Sequence, residues 1–199
     1  MALILPQRFQ ALNTGVTAPA MEAIFGVPSM GAVNQGTSDY TFVTRYEIAD
    51  MNNIPTGTVT EVYIEFLSSL ATSSYYCDVG PVYIGVAAAS GDVYDFASTP
   101  TQLTFDGGSS TWSPVSASES KNTDTVSFSW DKTTDLLVAL WSNASPSITS
   151  YAGANTNFTT SRSYFKAGTD DSATVDKTGY TGPGSAMYGG IRQIYMDGY

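Results

Sequence analysis

Apolar and polar positions alternate with a period of two over most of this chain, and that pattern predicts strands. Residues 40–48 place Tyr40, Phe42, Thr44, Tyr46 and Ile48 on one face and Thr41, Val43, Arg45 and Glu47 on the other. Residues 58–66 repeat it, with Val59, Glu61, Tyr63 and Glu65 facing one way and Val62, Ile64 and Phe66 the other. The turn between the two is Asn52-Asn53-Ile54-Pro55-Thr56-Gly57. Val82 to Ala88 reads as a mostly buried strand, and Thr101 to Phe105 as a short one ending at the turn Asp106-Gly107-Gly108. Asp124 to Trp130 leads through Asp131-Lys132-Thr133-Thr134 into Asp135 to Trp141, the most apolar run and therefore a central strand. Ser161 to Lys166 and Met187 to Met196 complete the set, the last as the closing strand. The best helix-period candidate, Ala18 to Phe25, is bounded by Pro19 and Gly26 and amounts to one or two turns at most.

Eight or nine strands at this spacing predict an all-β domain, a jelly-roll-like two-sheet antiparallel sandwich, over residues 38–199. Residues 1–37 differ. Only Arg8 and Glu22 carry charge there, prolines and glycines punctuate the segment, and Leu3, Ile4, Leu5, Phe9, Leu12, Ile24 and Phe25 would be exposed in a free tail. This lead is read as an N-terminal arm that either packs on the sandwich as edge cover or docks on another protein.

Composition narrows the function. Acidic residues outnumber basic ones 18 to 8, giving a formal charge of −10. The few scattered Lys and Arg build no patch for nucleic acid or an anionic membrane surface. The first residues carry no charged n-region or long apolar stretch, so no signal peptide is expected and synthesis in a cytoplasm is. No apolar run is long enough to span a membrane as a helix.

With no histidine in the sequence, Ser–His–Asp and Cys–His sites are excluded, and zinc lacks ligands. The single cysteine, Cys77, reads as a buried structural thiol. Lys121, Lys132, Lys166 and Lys177 sit in polar, turn-like contexts that do not support a Ser–Lys dyad. Glu61 and Glu65 lie on one face of one strand, with Cβ atoms roughly 13 Å apart. That is wide for a glycosidase pair, and alternation alone explains them as a sheet surface. Asp170, Asp171 and Asp176, and Asp131 with Asp135, lack the ligand spacing of a calcium loop and read as solvated turns. No catalytic residue, metal or cofactor is expected.

Aromatic side chains offer a glycan platform. Trp130 and Trp141 fall in alternating runs that assign them to the core; Trp112, Tyr151, Tyr180 and Tyr188 are the freer candidates.

The segments "VTEVYIEF", "LTFDGGSSTW", "DTVSFSWDKTTDLLVALW" and "SYFKAGTDDSATVDKTGYTG" leading to "YGGIRQIYM" resemble the jelly-roll, carbohydrate-binding-module-like domains of phage structural proteins and bacterial surface proteins. The resemblance covers about two-thirds of the chain and speaks to architecture more than to ligand. The lead "MALILPQRFQALNTGVTAPAMEAIFGVP" is similar in style to the arms by which phage decoration, or cement, proteins grip the capsid. The resemblance implies a virion protein, on the capsid surface in preference to the tail. Its partner would be the major capsid protein or another virion protein, held through Leu3, Ile4, Leu5, Pro6, Arg8 and Phe9, with a homo-oligomer, a trimer first, expected. The alternative is a glycan-binding module of a phage tail or bacterial surface.

Overall fold

The structure is a computed structural model that describes residues 21–26, 30–69, 75–89, 94–145, 147, 149–155, 163–168, 170–184, 187–188 and 190–199. The period-two runs become strands because β-branched and aromatic side chains pack well on a pleated surface. The strands are β1 (Glu22–Gly26), β2 (Gly31–Gly36), β3 (Tyr40–Tyr46), β4 (Val59–Leu67), β5 (Asp78–Val86), β6 (Thr101–Leu103) and β7 (Ser120–Asn122), followed by β8 (Val126–Trp130), β9 (Leu136–Asn143), β10 (Ser150–Asn155), β11 (Ser163–Ala167), β12 (Thr181–Gly184), β13 (Met187–Tyr188) and β14 (Ile191–Met196). One 3-10 turn, Ile48–Asp50, follows β3.

Two antiparallel sheets form the sandwich. One runs β1-β14-β4-β7, with β8 also paired to β4; the other runs β12-β11-β3-β9-β5-β6. From β3 to β9 the chain crosses between them repeatedly: β3 in the second sheet, β4 in the first, β5 and β6 back, β7 and β8 over, β9 back. Strand β9 closes between β3 and β5, far apart in sequence, which gives the jelly-roll-like winding. The most apolar run of the sequence thus occupies the centre of the larger sheet, as its composition requires.

The main core lies between the sheets. Val62, Ile64 and Phe66 of β4, Ile191, Ile194 and Met196 of β14 and Phe128 and Trp130 of β8 meet Phe42 and Tyr46 of β3, Val82 and Ile84 of β5 and Leu136, Val138 and Leu140 of β9. Burying these side chains out of water is the dominant stabilising contribution.

The larger sheet is covered on its outer face as well. Val43, Leu137 and Ala139 point outward into a second cluster with Ala87, Phe96, Tyr164 and Tyr180, and Tyr94 packs against it. Two loops, around residues 94–97 and 170–181, supply this cover. They are tied together by Phe96 N–H to Val175 O (3.0 Å) and by Lys177 N–H to Asp95 Oδ1 (2.8 Å).

Several expectations are corrected. Of the residues read as a short helix, 18–20 lie outside the described residues and Glu22 to Phe25 belong to strand β1 instead: Ile24 and Phe25 are buried, and the strand pairs with β14. Cross-strand pairing and core burial outweigh local periodicity over so short a stretch. Residues 31–36 pair with β10, so this part of the 1–37 lead belongs to the sheets. Val59 does not share a face with Glu61. The register of β4 against β8 shifts between them, leaving Thr60 and Glu61 exposed in succession and turning Val59 into the core. The run Met187–Met196 is not one strand: β13 pairs with β10 in a small three-stranded sheet (β13-β10-β2), and β14 joins the five-stranded one. Gly190, at φ +79°, makes the break, and a Cβ there would lie 2.4 Å from Leu67 O.

Candidate functional site

The carboxylates and lysines singled out in the sequence are held in structural bonds. Glu65 pairs with Arg192 (3.1 Å) on the outer face of the smaller sheet, beside the stacked rings of Tyr63 and Tyr195 (centroids 4.5 Å apart). Glu61 is exposed on the register shift, and nothing in this geometry converges the two glutamates on a substrate. Asp131 accepts the N–H groups of Thr133 (2.8 Å) and Thr134 (2.9 Å), and these bonds hold its carboxyl down at about 2. Asp135 receives Arg45 Nε at 2.8 Å and the N–H of Ile48 at 3.0 Å. Asp176 accepts the N–H of Thr178 (2.7 Å). These loops are turn chemistry, with no group of three or more metal-ligating side chains among the described residues.

Cys77 is buried and burial pushes its thiol up to about 12, so it is an inert core group. Lys121 donates to Asp106 O (2.9 Å) and Lys132 to Gly57 O (2.8 Å), both in exposed settings.

Lys177 departs from expectation. Its sequence context is polar, yet the residue is 0% exposed. Its ammonium donates to the carbonyls of Asp171 (2.7 Å) and Ser172 (3.0 Å) and lies 5.5 Å from the ring centroids of both Phe96 and Tyr180. Burial lowers its pKa to about 8 against the opposing pull of Asp171, Asp170 and Asp95. The Asp171 carboxylate accepts hydrogen bonds from Lys166 Nζ (2.7 Å) and the Tyr180 hydroxyl (2.5 Å). A carboxylate so engaged has no free base to offer, and the cluster pins the 170–181 loop to the sheet. A lone Lys between Asp and Thr carries no sequence signal of burial; only the tertiary cover reveals it.

The glycan candidates are divided among three parts of the fold. Trp112 is 6% exposed, packs against Phe105 (6.1 Å) and bridges to Val79, so it belongs to the core and offers no free face. Tyr180 is buried in the outer-face cluster, its hydroxyl on Asp171. Tyr151 lies on β10 and Tyr188 on β13, in the small sheet. Leu3, Ile4, Leu5, Pro6, Arg8 and Phe9 lie outside the described residues.

A different aromatic lines a surface cleft. Trp130 is a core residue as expected, but Trp141 sits on the outer face of β9, in the same alternating set as Leu137 and Ala139, and is only half-buried. The cleft, about 690 Å³, lies at the end of the larger sheet where β3 begins and β9 and β11 end, and Asp39, Trp141, Asn143, Ala144, Ala167 and Asp170 line it. Its frame is fixed by hydrogen bonds. Asp39 Oδ1 accepts the N–H of Ala144 (3.0 Å), Asp39 O that of Gly168 (3.1 Å), and Asp170 Oδ1 both the N–H (3.0 Å) and hydroxyl (2.6 Å) of Ser172. The Trp141 N–H is buried and has no hydrogen-bond partner among the described residues. The signal available in the sequence was that Trp141 and Leu140 must face opposite sides of β9; it does not say which side stays open. No protein-family model matches the chain, and no curated protein matches it in sequence.

Proposed function

We propose that this chain is a non-catalytic structural protein of a phage virion, of the capsid decoration or cement type. It would dock on the shell through its N-terminal lead and present the sandwich outward. The observation that carries this reading is the charge-poor apolar lead preceding β1, which is the terminal strand of the five-stranded sheet among the described residues. Leu3, Ile4, Leu5, Pro6, Arg8 and Phe9 would make the contact with the major capsid protein. Such an arm gains apolar contact area at each lattice point, and repetition over a lattice or within a trimer multiplies it. The engagement of Glu65, Asp131, Asp135 and Asp171 in structural bonds supports a role without catalysis.

Removing residues 1–12 tests the reading. The truncated protein is expected to keep its fold and to lose co-sedimentation with purified shells; full decoration by the truncated protein contradicts the proposal. A glycan-binding module is the second reading, and the cleft at Trp141 is the observation that favours it.

A further inference from the structure

We propose that the free edge of β8 pairs with the same edge of a second copy of this chain, joining the two five-stranded sheets across a twofold axis at Phe128. The inference does not rest on the virion reading, since it uses none of residues 1–20.

Strand β8 is bonded to β4 along one side, and among the described residues no backbone pairs with its other side. A groove of about 170 Å³ lies there, with Ser127, Phe128 and Ser129 on one wall and Ser98, Thr99 and Thr101 on the other. A row of unpaired N–H and C=O groups is a template for another chain, and folded proteins blunt such edges with charge, proline or brevity. The other terminal strands are blunted in this way. Strand β1 carries Glu22, β12 carries Pro183 between two glycines, and β2 begins and ends in glycine. Strand β6 has three residues and β13 two. The outer side of the short β7 is occupied, Asn122 O accepting the N–H of Asp106 (3.0 Å). Between Val126 and Trp130 there is no charge, proline or glycine.

The edge is complementary to itself. Phe128 and Trp130 are buried and Ser127 and Ser129 exposed, so β8 keeps its alternation despite the register shift against β4. Antiparallel partners share a face of the sheet, so core-facing residues must meet core-facing residues. The self-pairing that satisfies this over all five residues is centred on Phe128. Val126 then lies opposite Trp130 of the second copy, Ser127 opposite Ser129, and Phe128 opposite Phe128. A chain of formal charge −10 repels its own copies over most of its surface, but here no like charges meet. Thr125 falls opposite Asp131, and beyond the ladder Lys132 of each copy comes to the side of Asp124 of the other. Such an isologous contact closes at two copies.

Sedimentation velocity of the full chain, from micromolar to hundreds of micromolar, tests the pairing, and a shift to the mass of two chains is expected. Ser127→Lys combined with Ser129→Lys sets like charges opposite each other twice and should weaken association by about tenfold or more. This variant lowers the net negative charge, so overall repulsion would not explain the loss. Ser127→Lys combined with Ser129→Asp sets opposite charges at the same two places and should restore association, with a salt dependence the native chain lacks. Both serines are exposed and Ser127 lies across from Glu61 on β4, so the fold tolerates these changes. A native chain that stays monomeric throughout, association that the double-lysine variant keeps, or loss in both variants alike would each overturn the proposal.

Discussion

The ammonium of Lys177 donates to the backbone carbonyl of Asp171 at 2.7 Å while the Asp171 carboxylate turns to Lys166 and Tyr180. The buried cation is thus held by carbonyl dipoles and ring faces, with the nearest loop carboxylate committed elsewhere. The same contacts fasten the loop that covers Val43, Leu137 and Ala139.

This arrangement predicts an alkaline signature. Lys177 has a folded pKa of about 8, below its unfolded value, so the unfolded chain binds more protons between the two. The cost of keeping it charged is fully present below pH 8 and is relieved as pH rises from about 8 to about 10.4. Cys77 acts in the opposite sense. Its folded pKa of about 12 lies above the unfolded value, so its contribution is lost as pH rises through about 9 to 12. Lys177→Met should therefore remove a rise in stability above pH 8, and Cys77→Ala should remove a fall above pH 9. Urea denaturation of the three proteins from pH 7 to 10.5 measures both; parallel profiles would refute the assignment.

Asp197 predicts the acid limb. Its carboxylate accepts the N–H groups of Thr60 (2.8 Å) and Glu61 (2.9 Å) and the Thr60 hydroxyl (2.6 Å), satisfying the backbone where the β4 register shifts. Burial opposes its ionisation, but these bonds outweigh it and hold the carboxyl below its ordinary value. Its stabilisation is present above the unfolded pKa and lost as pH falls through the folded one. Asp197→Asn should cost about 1–3 kcal/mol at pH 7 and flatten the decline in stability below pH 4. An unchanged acid limb would contradict it.

The two tryptophans Trp112 and Trp141 should separate by thermal denaturation. Trp112→Ala empties the core beside Phe105 and should cost about 3–5 kcal/mol. Trp141→Ala, at a half-buried surface position, should cost clearly less. Equal losses would place the two in equivalent surroundings.

Gly190→Ala should destabilise the joint between the small sheet and β14. The glycine sits at φ +79°, its Cβ would overlap Leu67 O, and its own N–H donates to Gly153 O at 3.0 Å. Neither backbone can withdraw without losing the bond from Leu67 N–H to Gly190 O (2.7 Å). A loss above about 2 kcal/mol is expected in chemical denaturation, and a neutral effect would show that the approach relaxes freely.

Strand identity was legible because alternation over six to nine residues has one cheap solution: apolar side chains into the core. The central place of β9 followed from its apolar run on both faces. What alternation could not convey was the cover on the outer face of the larger sheet. Val43, Leu137 and Ala139 look the same whether water or a loop lies above them. Hence Lys177 and Tyr180 read as exposed, and Trp141 read as core while Trp112 read as free. The shift at Thr60–Glu61 was hidden for a related reason: a bulge is set by Asp197, far away in sequence. Segment 18–25 was too short for periodicity to separate helix from strand.

The most direct test of the virion assignment is the copy number of this chain in purified phage particles, measured by quantitative mass spectrometry against the major shell protein. Parity, or a simple lattice fraction of it, is the predicted result. Absence from the particles, or a ratio matching tail components, would contradict decoration of the capsid.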